Sequence, residues 1–292
     1  MTTTAPTNRI AAEYASLLDK AETSGRTPTD RYLAAARRLL EEPGELVEIF
    51  GSSVQETTEY FDRHDPGDER LYGADRSELQ QSPGLESTAA VGALMEQRGR
   101  QRWDVLGDDS LSFHYIDREL LVTQAKGLAA PTSPDTASLR MDLLLANAKD
   151  GLPIVGELKV TTPERESPDK NPLFALIQAL ACASYLLPPP QMARLRRHDR
   201  GRRLKIDDGR LDIYVLTVRE PPASKPWFEL RDAAERLSAA TIEGLTGWIR
   251  TIAFVELAWL DKPSGGKRPP RATKRFSVTA SGPDNASRLS TP

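Results

Sequence analysis

A chain of 292 residues, 39% hydrophobic and 28% charged, has room for one large globular domain or two smaller ones. Its single cysteine excludes an internal disulfide and a cysteine-cluster metal site, and no apolar run approaches membrane-spanning length. The net charge of −3 does not mark a nucleic-acid binder, so the distribution of charge matters more than its total. The start, MTTTAPTNRIAAEYA, lacks the basic segment and apolar core of a signal peptide, and a cytoplasmic setting is expected.

Three helices are expected first. Ile10, Tyr14, Leu17 and Leu18 recur at helical spacing over residues 7–22. Thr27 caps a second helix with Pro28 in its first turn, and Tyr32, Leu33, Ala36, Leu39 and Leu40 form its apolar stripe. Pro43 and Gly44 end it, and a third helix runs to about Asp62. Residues 1–80 carry no chemical motif and read as a helical N-terminal region, a cap or a protein-partner surface. Glu41, Glu42, Glu45 and Glu48 read as a solvated face. Residues 65–84 are polar and turn-rich, a linker. A helix is expected over residues 85–102, its small residues suited to packing on a sheet, with Glu86 in the first turn and Glu96 further along. An acid in a first turn complements the helix dipole, which suffices to explain Glu86. Residues 111–124 read as two strand segments or one bent strand, interrupted near Asp117 and Arg118; His114 within it reads as a packed or surface residue.

The stretch from Ser138 to Tyr185 organises the rest. Asp150-Gly151 signals a two-residue hairpin loop between β-rich runs. That loop pairs Lys149 with Leu152 and sets Asp142 opposite Lys159, with Glu157 diagonal; a bulge would set Asp142 opposite Glu157 instead. Either register puts Asp142, Glu157 and Lys159 on one face, because side chains alternate with period two. Ionised groups on a face lined by Leu144 and Val155 are costly unless paired or metal-bound. Magnesium suits two close carboxylates, filling its remaining positions with waters and phosphate oxygens, and can polarise a phosphoryl oxygen. Lys159 is a point charge suited to a phosphate or an attacking water. A buried helix follows Pro172, and Gln178 within it needs a partner, either this site or a backbone carbonyl. Cys182 reads as a small core residue.

Beyond the Pro188–Pro190 stop, Arg194 to Lys205 holds seven Lys or Arg and one acid, a loop or frayed helix. LDIYVLTV from Leu211 and TIAFVELAWL from Thr251 are strands flanking a helical stretch over 228–248. The tail, residues 262–292, is rich in Pro, Gly and Ser, carries several cations and reads as disordered, with a weak grip on nucleic acid. A crossover helix between Val160 and Leu211 makes their strands parallel. The whole is an α/β fold, a mixed central sheet flanked by helices.

The order Asp142, fourteen residues, Glu157-Leu158-Lys159, then Gln178 resembles the PD-(D/E)xK nuclease superfamily, of restriction-endonuclease-like fold. The resemblance spans residues 83–218 within a core region of 81–261. Met141 stands where the motif's proline would be, and Cys182 where the recombination-exonuclease branch has a tyrosine. The resemblance implies metal ligation (Mg2+ or Mn2+) by Asp142, Glu157 and the backbone carbonyl of Leu158, and a place for Lys159 near the nucleophile. It implies an orienting role for Gln178 and an acid in the preceding helix, Glu86 first and Glu96 second. It makes nucleic acid the partner, DNA ahead of RNA, and favours reading Arg194, Arg196, Arg197, Arg200, Arg202, Arg203 and Lys205 as phosphate contacts, although a charge run is more often a solvated loop. The other reading is a binding or regulatory protein on the same fold, with Asp142 and Lys159 a cross-strand ion pair worth under about 1 kcal/mol. No GxxxxGK[ST], GxSxG or HExxH motif is present.

Overall fold

The computed structural model describes residues 8–22, 28–66, 91–92, 95–96, 102–122, 140–161, 170–197, 204–206, 209–219, 224–258 and 271–280. Helices α1 (Arg9–Glu22), α2 (Pro28–Glu41) and α3 (Pro43–Arg63) come first. Helix α2 ends at Glu41, just before Pro43 as expected, and Pro43 also opens α3, where its missing N–H costs nothing. Strands β1 (Arg102–Trp103), β2 (Val105–Leu106), β3 (Phe113–Leu121), β4 (Arg140–Asn147) and β5 (Pro153–Thr161) follow. Then come α4 (Pro172–Leu186), α5 (Pro189–Arg197), β6 (Leu211–Arg219), α6 (Lys225–Thr241), β7 (Ile249–Ala258) and β8 (Arg271–Thr279).

All eight strands form one sheet in the order β1-β3-β4-β5-β6-β7-β8-β2. The fold is thus α/β with a mixed sheet: β5 and β6 are parallel neighbours, as the crossover argument requires, β7 runs parallel to β6, and the remaining pairs, β2–β8 apart, are antiparallel. Asp104 alone separates β1 from β2, yet β1 pairs with β3 at one edge and β2 with β8 at the other. The sheet therefore curls until the Arg102–Leu106 strap joins its two edges. Arg102 is in this strap and not in the preceding helix. Strand β3 is one bent strand, with a register shift between Tyr115 and Asp117.

One face carries Leu144, Val155, Ile213, Val215 and Ile252, covered by helices α1–α4 and α6 in a continuous apolar cluster. The other carries Leu143, Leu145, Ile154, Leu158, Leu216 and Val255, with helical Val91 and Met95 against it. Ile10, Tyr14, Phe50 and Phe61 belong to the first cluster, so α1 and α3 pack into the apolar core that covers this face. Helix α4 is capped by Asn171, whose side chain accepts from Phe174 N–H at 2.9 Å, and begins with Pro172. Being apolar on nearly all sides, it is the central buried helix. Part of the tail read as disordered is ordered: β8 pairs along β7, with Arg275 bonded to Glu256 and Lys274 to Asp108. Among the described residues no single helix is long and apolar enough to cross a membrane.

Candidate active site

The β4–β5 connection sets the register. The loop holds four residues, Ala148–Gly151, not two, because Asn147 N–H bonds Leu152 C=O. Asn147 Oδ1 accepts from Lys149 N–H, Asp150 Oδ1 accepts from Leu152 N–H, and Gly151 takes φ 78°. The ladder runs from Ala146↔Pro153 to Leu143↔Gly156, which continues to Asp142 across from Glu157. This is the alternative register, reached by a longer loop without a bulge. The shift is two residues, so the face occupied by each side chain is unchanged.

Past Gly156 the two strands part, and the acid side chains occupy the fork. Asp142 Oδ2 accepts from Leu158 N–H at 2.9 Å. The C=O of a strand residue points to the same side as its N–H, so the Leu158 carbonyl is directed into this fork as well. Lys159 Nζ donates to Glu157 Oε1 at 2.9 Å and to Gln178 Oε1 at 2.5 Å. Gln178 thus meets the site, not a backbone carbonyl. Asp142, Glu157, Lys159 and Gln178 form one constellation beneath the N-terminal half of α4.

Glu157 is 1% exposed, and its Oε2 has no hydrogen-bond donor. Burial, reinforced by the Asp142 charge and opposed by Lys159, raises its carboxyl well above the usual range. Burial also raises Asp142, against the pull of Lys159 and the Leu158 N–H. Asp142 lies across from Glu157, so without a cation burial and mutual repulsion favour protonation of the pair. A divalent cation fits the same donor set: the orphaned Glu157 Oε2, Asp142 and the Leu158 carbonyl. Among the described residues no group of three or more His, Cys, Asp or Glu is disposed to hold a metal. Two carboxylates with water completing the shell are, however, what magnesium ordinarily takes.

The raised Glu157 carboxyl has a consequence for stability. A group whose folded pKa is raised stabilises the fold below its unfolded value, about 4.3 for Glu, and that stability is lost as pH rises through the folded value. Melting of the metal-free protein across this window should therefore fall with pH more steeply than that of Glu157→Gln. Parallel pH profiles for the two proteins would contradict the raised Glu157 carboxyl.

Three neighbours carried no sequence signal for this site. Cys182, one turn beyond Gln178, is buried; burial, with the Glu157 and Asp142 charges, pushes its thiol up. Phe174, one turn before Gln178, places its ring centroid 5.3 Å from Lys159 Nζ. Glu119, where β3 passes Asp142 between Arg118↔Leu143 and Leu120↔Met141, has φ 55°, alone among described non-glycine residues in being positive. Such strain costs on the order of 1–3 kcal/mol and collects at functional sites.

Other candidates lie elsewhere. Glu86 is outside the described residues. Glu96 accepts from Arg118 Nε at 3.0 Å on the opposite sheet face, where Gly92 lies against Arg118 and Leu143, so it is not in this constellation. Arg194 is 2% exposed and is no phosphate contact in this fold: α5 folds back against the end of β3, and the guanidinium donates to Leu121 C=O and Gln191. Arg196, Arg197 and Lys205 are exposed, while Arg200, Arg202 and Arg203 are outside the described residues. Lys205 N–H bonds Gly151 C=O at the hairpin end of β5. The six residue steps from Gly151 to Glu157 put that contact about 20 Å from the acids. Reversing Arg196, Arg197 and Lys205 to Glu should weaken nucleic-acid binding and reduce its salt slope by about 0.9 per lost phosphate contact; an unchanged slope would mark them as solvated.

No protein-family model, curated protein or solved structure matches this chain.

Proposed function

We propose that this protein is a metal-dependent nuclease of the PD-(D/E)xK kind, hydrolysing phosphodiester bonds with Mg2+ or Mn2+ and favouring DNA. The observation that carries the reading is the meeting of Asp142, Glu157, Lys159 and Gln178 at the β4–β5 fork. Asp142, Glu157 and the Leu158 carbonyl would hold the cation, which supplies Lewis-acid polarisation of the scissile phosphate. Glu157 and Gln178 hold the Lys159 amine, which would stabilise the charge that develops on the phosphate. Gln178 fixes that amine, and Asp142 is fixed by Leu158 N–H before any substrate arrives, a preorganisation that costs nothing at the reacting step.

The second reading, a binding or regulatory protein without hydrolysis, is favoured by one observation. Glu157 and Lys159 already form a 2.9 Å ion pair with Glu157 buried, which a purely structural pair would also do. The deciding experiment incubates labelled single- and double-stranded DNA and RNA with magnesium or manganese, beside Lys159→Ala. The nuclease reading expects metal-dependent cleavage by the wild type and a loss of about 10²–10³-fold in the variant. Absence of cleavage on every substrate would leave the binding reading in its place.

A further inference from the structure

Aromatic rings pack beside the acid site. Tyr14 from α1 stacks on Phe174 with ring centroids 5.9 Å apart, and Tyr32 from α2 meets the same ring edge-on at 6.4 Å. Tyr14 is buried, but Phe174 and Tyr32 are half-buried and keep aromatic surface at the protein's exterior. That surface adjoins Lys159, whose amine lies near the Phe174 ring. The reacting groups behind it are recessed, the Lys159 side chain being 13% exposed and Glu157 2%.

These two features point to the same substrate. A duplex presents its phosphates on a broad, stiff cylinder with its bases stacked inside, and cannot readily lower one phosphate to groups beneath the surface. An unpaired strand is narrow, and its bases are available for stacking on aromatic rings. Stacking tolerates any sequence and adds affinity that does not depend on net positive charge, which this chain lacks. Resting on the nuclease reading, we infer that the substrate enters as a single strand of DNA. One nucleobase packs against the exposed surface of Phe174 and Tyr32, and the adjoining phosphate reaches Lys159 and Gln178. The helices α1 and α2, read from sequence as a partner surface, then form part of the substrate site.

The test is equilibrium binding in EDTA, where nothing is cleaved, of labelled oligodeoxythymidylate and of a duplex of equal length. Wild type is compared with Phe174→Leu and Tyr32→Leu, which retain apolar bulk but remove the ring, each checked by thermal melting. Wild type should bind the single strand at least about tenfold more tightly than the duplex. Each variant should lose about tenfold for the single strand and keep its duplex affinity. If one variant fails to fold, the other decides. Equal wild-type affinity for the two ligands overturns the inference, as does a folded leucine variant that binds the single strand like wild type. Because this assay contains no metal, a failure of hydrolysis with magnesium refutes the nuclease reading and leaves the strand preference measurable, whereas a duplex-cleaving enzyme without that preference refutes only the inference.

Discussion

Asp142→Ala and Glu157→Ala should each abolish metal-dependent cleavage while leaving the fold intact and most nucleic-acid binding in place. The size of the effect follows from the chemistry. Lewis-acid stabilisation of a phosphoryl transition state is worth several kcal/mol, so losing the cation should slow hydrolysis on the order of 10³-fold or more. Binding should survive, since it draws on phosphate and base contacts away from the acids. The fold should survive because each change relieves a charge conflict. Glu157 is raised by burial and by Asp142, so removing either partner takes away a poorly solvated group whose ionisation the site disfavours in the absence of metal. Cleavage rates and binding constants measured on the same preparations check this. A variant that still cleaves at a tenth of the wild-type rate would remove that acid from the cation's shell.

The second large effect is on stability and lies at the other end of β5. Arg250 of β7 donates to both carboxylate oxygens of Asp212 on β6 and to Asp150 in the hairpin loop. Asp212 is fully buried; burial pushes its carboxyl up, and the Arg250 bonds pull it back. Arg250→Ala would strand that carboxylate in the core. Breaking a buried pair from one side costs about 3–5 kcal/mol, a fall in melting temperature of roughly 2–4 °C per kcal/mol for a chain of this size. Arg250→Ala with Asp212→Asn should recover part of the loss. A single variant that melts within a degree of wild type would show the pair to be dispensable.

Much of this was legible in the sequence where physics is local. Alternation alone puts Asp142, Glu157 and Lys159 on one face, and that survives a wrong loop length, because the error was two residues and the period is two. The apolar runs of β6 and β7 read as strands, and the crossover helix makes β5 and β6 parallel. The misses are long-range. Arg194 reads as a phosphate contact until α5 is seen to fold against Leu121. The strand β8 has a weak pattern of its own, RATKRFSVT, and is held by β7, by β2 and by pairs with Glu256 and Asp108. Closure of the sheet by Arg102–Leu106 joins edges far apart in sequence, so no window of residues could signal it. The aromatic cluster beside the site depends on α1 and α2 reaching Phe174, a contact set by packing and not by periodicity.

The claim on which the account turns is that Asp142 and Glu157 hold a divalent cation and are not simply partners of Lys159. Thermal melts with and without magnesium separate the two, because a ligand that binds only the folded state raises its stability in proportion to RT ln(1 + [L]/Kd). The account predicts that magnesium raises the wild-type melting temperature, and that Asp142→Ala and Glu157→Ala reduce or abolish the rise while melting no lower than wild type in EDTA. A wild type indifferent to magnesium, with both acid variants less stable than it in EDTA, would contradict the metal site and leave an ion pair.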